Sequence, residues 1–441
     1  MYQTEDVFTV RGGELYIEGI RATELAKRFG TPLYVYSESL IRGRMAEIKR
    51  DFIDKYSGYN GSAGERPGAF AAYAGKAFLA KAMCRIVNEE GLHLDVVSAG
   101  ELYTALGAGF PAERIGFHGN NKTYEEIDTA VEAGVGRIVI DGLDELDIIE
   151  GIAEKHGRRQ DVLFRITPEV SASTHDHIQT GKRDSKFGIP IDESILYPLI
   201  GRAIDSPYVN FKGLHFHIGS QIHEADPYLE ATERALEIID EIYRRFAYTV
   251  FELILGGGFG IRYVEGEERQ PYSFFLDPVM RRIKEYCGER GIVPPDVGIE
   301  PGRSIVGDAG VTLYTVGTIK QIPGGTKYIS IDGGMSDNIR PALYGAKYEA
   351  VIANKADAQP CETVTVCGKL CETGDRIIDG IELAVAGRGD TLCVFTTGAY
   401  GYSMASNYNK LPKPAVVFVR GGEAALAVRR QTFESMTADE V

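Results

Sequence analysis

The chain has 441 residues, which favours two domains or one large barrel with an appendage. Hydrophobic residues make up 44% and charged residues 25%, as in soluble globular proteins, and the net charge is −15. The acidic balance excludes nucleic acid as an expected partner, and the absence of a long apolar segment predicts a cytoplasmic protein without a membrane partner.

Short apolar runs that resemble β-strands alternate with longer amphipathic stretches between about residues 69 and 300. The predicted strands are Ala69–Ala74, His93–Val97, Ile115–His118, Arg137–Ile140, Val162–Ile166, Gly213–Ile218, Phe251–Leu255 and Val297–Glu300. With helical stretches such as Thr123–Ala133 and Tyr228–Arg245, they predict an α/β fold with a closed (β/α)8 barrel. An open, doubly wound sheet is the alternative. Polar residues just after the strands favour the barrel, whose active-site loops share the carboxyl rim.

Beyond about Gly307 the helical period disappears, and β-branched runs predict a separate β domain. These runs are Val311–Lys320, Tyr328–Ile331, Thr363–Val366 and Ala415–Val419. The segment Leu33–Tyr36 is also strand-like, and we expect it to pair with that domain. The predicted division is therefore a barrel over residues 39–308 and a β domain made of residues 1–38 and 309–441.

The segment Tyr73-Ala-Gly-Lys76 puts a lysine at the carboxyl end of the first predicted barrel strand, behind an apolar run. We expect its amine to be desolvated. Desolvation lowers the pKa of a lysine and allows it to form a Schiff base with an aldehyde cofactor, which is the role we assign to Lys76. A surface lysine at the start of a loop is the alternative.

Two motifs follow the seventh and eighth predicted strands, Gly256-Gly-Gly-Phe-Gly260 and Glu300-Pro-Gly-Arg303. A barrel's phosphate site commonly lies in these two loops, where glycines let backbone N–H groups approach the oxygens. The spacing is not that of a dinucleotide-binding turn. A carboxylate such as Glu300 can keep a pyridine nitrogen protonated, so that the ring accepts electrons. The alternative for this side chain is an ion pair with Arg303.

The sixth predicted strand ends in His215-Phe-His217-Ile-Gly-Ser220, and alternation directs His215 and His217 to one side. One of them can stack on a cofactor ring while Ser220 bonds to phosphate, or both are satisfied core histidines. A metal at His175-Asp176-His177 is disfavoured because the sequence offers no obvious third ligand, and we predict no metal site. The six cysteines lack paired spacings and are expected to be reduced thiols.

These motifs, with Cys371-Glu-Thr-Gly-Asp375 and Tyr400, closely resemble the fold type III decarboxylases that use pyridoxal 5'-phosphate. The resemblance covers nearly the full chain. It implies an alanine-racemase-like barrel that carries the cofactor on Lys76, and a homodimer in which the β domain completes the partner's active site. The implied cofactor contacts are Lys76, His217, Ser220, Gly257, Gly258, Glu300, Pro301, Gly302, Arg303 and Tyr400.

Within that family, three segments are most similar to the members that convert meso-2,6-diaminopimelate to L-lysine: Gly30–Tyr36, Ser336–Tyr344 and Cys371-Glu372. This small-molecule substrate has a carboxylate and an ammonium at its far end. The resemblance assigns Arg303 and Arg340 to the carboxylate and Glu372 to the ammonium. It adds Tyr344 and Tyr400 to the substrate site, and it implies that Cys371 of the partner subunit returns a proton to Cα.

Three other functions stay open at this point. A decarboxylase for D-lysine, D-ornithine or another basic amino acid is disfavoured by the paired arginines. A racemase is disfavoured by the pair Cys371-Glu372. A non-catalytic regulatory homologue would normally have lost Lys76 or Cys371, and both are present.

Overall fold

The computed structural model describes residues 7–61, 66–170 and 185–441. The chain divides into two compact units. The β unit consists of Met1–Arg44, Ile261–Glu268 and Arg303–Val441, and the barrel unit of Met45–Gly260 and Arg269–Gly302. Residues 39–44, 261–268 and 303–308 thus fall in the β unit rather than in the predicted barrel. For the segment 261–268 the reason is that its apolar side chains pack in a core cluster of the β unit.

The strands in chain order are β1 (Phe8–Arg11), β2 (Glu14–Ile17), β3 (Ile20–Arg21), β4 (Leu33–Ser37), β5 (Ala69–Ala74), β6 (His93–Val96), β7 (Ile115–Phe117), β8 (Arg137–Ile140), β9 (Gln160–Arg165), β10 (Val209–His215), β11 (Glu252–Ile254), β12 (Asp296–Ile299), β13 (Gly310–Gln321), β14 (Lys327–Ile331), β15 (Ala350–Ile352), β16 (Glu362–Cys367), β17 (Arg376–Leu383), β18 (Thr391–Val394), β19 (Ala415–Arg420) and β20 (Glu423–Val428).

The α-helices are α1 (Ala22–Phe29), α2 (Glu38–Ile48), α3 (Lys81–Glu89), α4 (Ala99–Leu106), α5 (Tyr124–Ala133), α6 (Glu145–Lys155), α7 (Glu193–Asp205), α8 (Asp226–Phe246), α9 (Tyr272–Arg290), α10 (Arg303–Val306), α11 (Arg340–Tyr344) and α12 (Phe433–Met436). Among the described residues, none of these helices combines the length and the apolar character that crossing a bilayer requires.

Strands β5 to β12 close into a barrel in which neighbours run parallel and β12 pairs with β5. The predicted (β/α)8 barrel is confirmed, and the open-sheet alternative is wrong. Phe70, Val139, Leu163 and Ile254 form a buried apolar cluster from four of its strands. The sixth barrel strand, β10, ends at His215 rather than at the predicted Ile218, because its pairing with β9 and β11 stops there.

The sequence accounts for the helix boundaries of the barrel unit. Thr123 caps α5, its side chain and that of Glu126 satisfying each other's backbone N–H groups. The helix ends at Gly134, whose φ of +74° suits glycine. The long helix α8 buries an apolar face that includes Tyr228 and Leu236.

The β unit contains a nine-stranded sheet whose main path runs β17-β16-β14-β13-β4-β19-β20, with β18 paired to β13 and β15 paired to β18. Strand β4 lies antiparallel to β13 and parallel to β19. The predicted pairing of Leu33–Tyr36 with the β domain is therefore confirmed. Alternate residues of β4, such as Leu33 and Val35, belong to a buried cluster with Val311 and Leu313.

Candidate active site

Lys76 follows β5 directly, in a short 3-10 turn formed by Gly75–Ala77 at the carboxyl end of the barrel. Both neighbours of Lys76 in the chain are buried, but Lys76 itself is exposed. The expected desolvation of this lysine is therefore wrong, because the turn directs its side chain away from the packed interior. Its ammonium still contributes to the electrostatic field at Asp95, His118 and His217.

Glu300 is the carboxylate around which this rim is organised. Its side chain is 10% exposed, and its Oε2 lies 2.9 Å from Nε2 of His215. Its Oε1 lies 3.4 Å from Nε2 of His118 and has no hydrogen-bond partner among the described residues. Burial favours the protonated acid, but the two imidazoles outweigh it and hold the pKa of Glu300 well below its ordinary value. Glu300 is therefore an anion at neutral pH.

The imidazoles around Glu300 are neutral at physiological pH. Burial lowers the pKa of His118 to about 4, and it also lowers the pKa of His215. Desolvation lowers the pKa of His217 well below its ordinary value, and the charge of Lys76 adds to the shift. The Gly257 N–H donates to Nδ1 of His217 at 3.3 Å, which leaves the proton of the neutral ring on Nε2. A flat, uncharged ring is thus available close to Glu300.

Asp95 is a second acid of the same cluster. Its Oδ1 lies 3.5 Å from Nε2 of His118. Burial raises the pKa of Asp95 well above its ordinary value, and the negative charge of Glu300 raises it further. Their surroundings therefore move the pKa values of the two carboxyl groups apart, upward for Asp95 and downward for Glu300.

The motif Gly256–Gly260, which follows β11, runs in close contact with neighbouring segments of the rim. A Cβ on Gly257 would lie 2.1 Å from the carbonyl oxygen of Glu300. A Cβ on Gly258, whose φ is +104°, would lie 2.4 Å from the carbonyl oxygen of Gly219. Because neither position has room for a side chain, both require glycine, and the backbone itself lines this part of the rim.

The segment that follows Glu300 packs against the end of β5. The Ala74 N–H donates to the carbonyl oxygen of Pro301 at 3.1 Å, and a Cβ on Gly302 would lie 3.0 Å from the Ala74 Cβ. Ser220 comes next to Gly219 on the rim and is half-buried. The barrel unit thus brings together the predicted residues Lys76, His217, Ser220, Gly257, Gly258, Glu300, Pro301 and Gly302.

In the β unit, two buried arginines meet at one tyrosine. Arg303 and Arg340 are 8% and 7% exposed. Each donates from Nη1 to the hydroxyl oxygen of Tyr263, Arg340 at 3.1 Å. Arg340 also donates to the hydroxyl oxygen of Tyr348 at 2.7 Å. Within the described part of the chain Arg340 has phenols and no carboxylate as partners, so its charge is available for an anion.

Tyr400 joins this arginine group through its ring, whose centre lies 4.9 Å from the guanidinium carbon of Arg303. Its φ of +60° is rare for a residue other than glycine. Strain of this kind persists where the surrounding structure enforces it, commonly at functional sites. Tyr344, the last residue of α11, is half-buried.

Cys371 and Glu372 are exposed in the turn that joins β16 to β17. The Cys371 N–H donates to Oδ1 of Asn409 at 2.7 Å, and the Leu370 N–H donates to the carboxylate of Asp375 at 2.8 Å. Fixed hydrogen bonds therefore hold this turn, although the thiol is accessible.

Sequence reasoning missed four members of these clusters: Asp95, His118, Tyr263 and Tyr348. His118 and Asp95 lie in predicted strands, at or near their carboxyl ends, so the rim argument that selected Lys76 would also have selected them. Tyr263 carries no such signal, because only the folded β unit brings it between two arginines from distant parts of the chain. The cluster His175-Asp176-His177 lies outside the described residues.

Known proteins resemble the chain over nearly its whole length. Residues 52–307 match the profile of a family described as "Pyridoxal-dependent decarboxylase, pyridoxal binding domain". The chain is 49% identical over 424 residues to diaminopimelate decarboxylase of Bacillus subtilis (strain 168), covering 96% of this chain and 94% of the relative. It is 46% identical over 431 residues to the enzyme of that name from Staphylococcus aureus (strain COL), covering 98% of each. The crystal structure of diaminopimelate decarboxylase from M. jannaschii in complex with L-lysine matches with a TM-score of 0.91 and 34% identity, covering 99% of this chain and 98% of that one.

The chain belongs to the pyridoxal-dependent decarboxylase family. Its cofactor is pyridoxal 5'-phosphate, and the rim fits that group in three respects. Glu300 offers an anion with an unpaired buried oxygen for the pyridine nitrogen, and His217 offers a neutral ring. The glycine segment follows β11 at the carboxyl rim, where a barrel's phosphate site commonly lies, and close backbone packing requires glycine at Gly257 and Gly258.

One group of ligand atoms in the described residues also has metal-site spacing. Atoms of His118, His215 and Glu300 lie within 4.8 Å of one another. Because the family uses pyridoxal phosphate and Glu300 suits its ring nitrogen, we assign this cluster to the cofactor.

Proposed function

We propose that this protein removes carbon dioxide from meso-2,6-diaminopimelate and releases L-lysine. The observation that carries the substrate is Arg340, a buried cation without a carboxylate partner among the described residues, held together with Arg303 at Tyr263. A buried charge is costly unless it is paired, and a guanidinium binds a carboxylate through two parallel N–H donors. Diaminopimelate has such a carboxylate at the end remote from the reacting carbon. The names of the similar proteins support the same substrate.

In this proposal the barrel rim holds the cofactor. Lys76 would bind its aldehyde carbon, and His217 would pack on one face of its ring. Ser220, Gly257, Gly258, Gly302 and Tyr400 would surround its phosphate, with Pro301 and Arg303 completing the contact set. Pyridoxal phosphate, when bound, supplies an electron sink for the pair of electrons left on Cα. Glu300, an anion at neutral pH, would keep the proton on the pyridine nitrogen.

The β unit supplies the remaining groups. Arg303, Arg340 and Tyr344 would bind the far carboxylate, and the carboxylate of Glu372 would bind the far ammonium. The exposed thiol of Cys371 would return a proton to Cα after carbon dioxide leaves. We propose that Cys371 and Glu372 act in the partner subunit of a homodimer, with the barrel unit as the cofactor domain and the β unit as the completing domain. Exposure of the Cys371 turn supports this arrangement, because a group that serves another subunit has to be accessible.

We further propose a cytoplasmic location. All six cysteines are unpaired, as is usual in a reducing compartment, and three of them (Cys84, Cys287 and Cys393) are buried thiols whose pKa burial raises. Fusion of the chain to a fluorescent protein in a bacterium checks the location directly.

The substrate is tested by measuring carbon dioxide release with pyridoxal phosphate present. Meso-diaminopimelate is compared with D-lysine, D-ornithine, L-ornithine and L-arginine, and Lys76→Ala serves as the blank. Strong preference for diaminopimelate supports the proposal. Preference for a substrate without the far carboxylate contradicts the arginine assignment, and absence of turnover with all five would point to a non-catalytic homologue.

The arginine assignment has its own test. Arg340→Ala should raise the KM for diaminopimelate by about 10- to 100-fold, because it removes a charged hydrogen-bonding group from the substrate site. Cofactor loading, followed by the yellow colour of the protein, should stay intact. Loss of the colour in this variant would contradict the assignment.

A further inference from the structure

The substrate arginines of the proposed function are held by a residue that has no assigned role. Tyr263 is 6% exposed and belongs to the segment Ile261–Glu268 of the β unit. Its hydroxyl oxygen accepts an N–H from Arg303 and, at 3.1 Å, one from Arg340. The centre of its ring lies 5.7 Å and 5.0 Å from the two guanidinium carbons. One phenol therefore contacts both cations through its oxygen and its ring.

Two buried guanidiniums repel each other, and neither can lose its proton. A carboxylate between them would relieve the repulsion but would also consume the charge that a substrate needs. A phenol oxygen accepts hydrogen bonds with its two lone pairs and stays uncharged. Tyr263 thus fixes the spacing of the two cations without neutralising them, and with both lone pairs in use its own O–H proton points elsewhere.

The second phenol of the group serves only one arginine. Tyr348 accepts from Arg340 at 2.7 Å, and its O–H faces Oδ1 of Asn338 at 3.4 Å. Tyr263 is therefore the member that joins Arg303 to Arg340. This difference separates the two phenols in an experiment.

We infer that Tyr263 is a positioning residue that sets the distance between the Arg303 and Arg340 guanidiniums and so selects molecules that carry a carboxylate at the end remote from the reacting carbon. The inference rests on the proposed function, which assigns the two arginines to that carboxylate. It predicts that removing one oxygen atom from Tyr263 weakens recognition of the carboxylate more than it weakens catalysis.

The test compares two competitive inhibitors, L-lysine and cadaverine, which differ only in the carboxylate. Each inhibition constant is measured against meso-diaminopimelate with the cofactor-loaded enzyme. In Tyr263→Phe we expect the preference for L-lysine over cadaverine to fall about tenfold, as for partial loss of a charged hydrogen bond. The KM for diaminopimelate should rise by a similar factor. The kcat should stay within about twofold of the wild-type value, and the visible spectrum of the cofactor should be unchanged.

Tyr248→Phe is the matched control. Like the Tyr263 hydroxyl, the Tyr248 hydroxyl is hydrogen-bonded within the protein, in this case as the donor to the carbonyl oxygen of Phe211. Tyr248 lies before the amino end of β11, whereas the rim lies at the carboxyl ends of the strands. This variant should keep the wild-type preference. If Tyr263→Phe does not fold, Tyr348→Phe carries the test, because it removes one of the two phenol acceptors of Arg340 and should produce a smaller fall in the same preference.

The experiment distinguishes failure of the proposed function from failure of the inference about Tyr263. A wild-type enzyme that binds L-lysine and cadaverine equally overturns the proposed function, and the inference with it. A wild-type enzyme that prefers L-lysine, together with a folded Tyr263→Phe that keeps the full preference, overturns the inference alone. Equal weakening of both inhibitors in Tyr263→Phe also overturns it, because a general structural defect would act in that way.

Discussion

Replacing Glu300 with glutamine tests how the rim controls charge at the cofactor. The amide keeps the shape of the side chain and removes a negative charge that His215, at 2.9 Å, and His118 stabilise. A hydrogen bond to a charged group contributes about 1.5–3 kcal/mol, which corresponds to a fall of about 10- to 150-fold in kcat if it is realised in the transition state. We expect a loss in that range, together with weaker cofactor binding.

Asp95 should reduce the loss of kcat caused by Glu300→Gln. The charge of Glu300 is the second cause, after burial, of the raised pKa of Asp95, so Glu300→Gln should lower that pKa and allow Asp95 to ionise. Asp95→Asn alone should change kcat by less than about threefold, because burial and the charge of Glu300 raise the pKa of Asp95 and favour its neutral acid, which the amide resembles. The double variant should lose more than the product of the two single losses.

The assay is kcat at saturating pyridoxal phosphate, with the cofactor dissociation constant obtained from visible absorbance. The double-mutant cycle then gives the coupling between the two acids. The reasoning is refuted if Glu300→Gln retains at least half of the wild-type kcat, or if Asp95→Asn is as damaging as Glu300→Gln. Purely additive losses would refute the coupling alone.

Three further predictions concern stability and the proton donor. Lys122 donates to Glu145 at 2.8 Å, and only 1% of its side chain is exposed. Lys122→Met leaves the buried carboxylate of Glu145 without this partner, so the free energy of unfolding measured in urea should fall by about 3–5 kcal/mol. The double variant Lys122→Met/Glu145→Leu should regain most of the lost stability. Burial lowers the pKa of His93 to about 3, so below pH 6.5 the unfolded chain binds a proton that the folded chain does not. The free energy of unfolding should therefore fall by about 1.4 kcal/mol for each pH unit below 6.5. His93→Gln should remove this contribution of His93 to the pH dependence. Asn409→Gly keeps the left-handed backbone of Asn409 (φ 51°) but removes the oxygen that accepts the Cys371 N–H. Because this hydrogen bond holds the turn that carries the proposed proton donor, kcat should fall several-fold. Asn409→Asp keeps an acceptor oxygen and should retain activity.

The barrel could be predicted from the sequence because each parallel strand is buried and bounded by turn residues. β5 and β8 have the predicted bounds, and β12 begins one residue early. In the β unit, the strands that were not predicted are β1, β2, β3, β15, β17, β18 and β20. Strand β20 has only exposed and half-buried positions, and β1 is a four-residue strand, so neither gives the apolar run by which the other strands were found.

The site prediction, like the strand prediction, succeeds where a strand pattern fixes the position of a side chain and fails where a turn or tertiary packing does. Glu300, His217 and the glycine motif were found because the end of a barrel strand predicts the face of the molecule on which a side chain lies. The exposure of Lys76 depends on a three-residue turn, Gly75–Ala77, which strand periodicity does not describe. Tyr263 meets its arginines only through tertiary packing, because they lie 40 and 77 residues further along the chain.

The two units treat charge in opposite ways: the barrel unit leaves an anion for the cofactor, and the β unit leaves a cation for the far carboxylate of the proposed substrate. In the barrel unit, neutral imidazoles lie beside Glu300 and the pKa of Asp95 is raised by burial and by the charge of Glu300, which leaves the anion of Glu300 for a cationic ring nitrogen. In the β unit, phenols rather than carboxylates hold Arg340, so its positive charge remains for an anion. Each buried charge is stabilised by neutral hydrogen-bonding groups, a choice that costs stability because a charged partner would pair better. A chain that needed only a stable fold would gain from a carboxylate beside Arg340, and the phenols there indicate that an external anion completes the pairing.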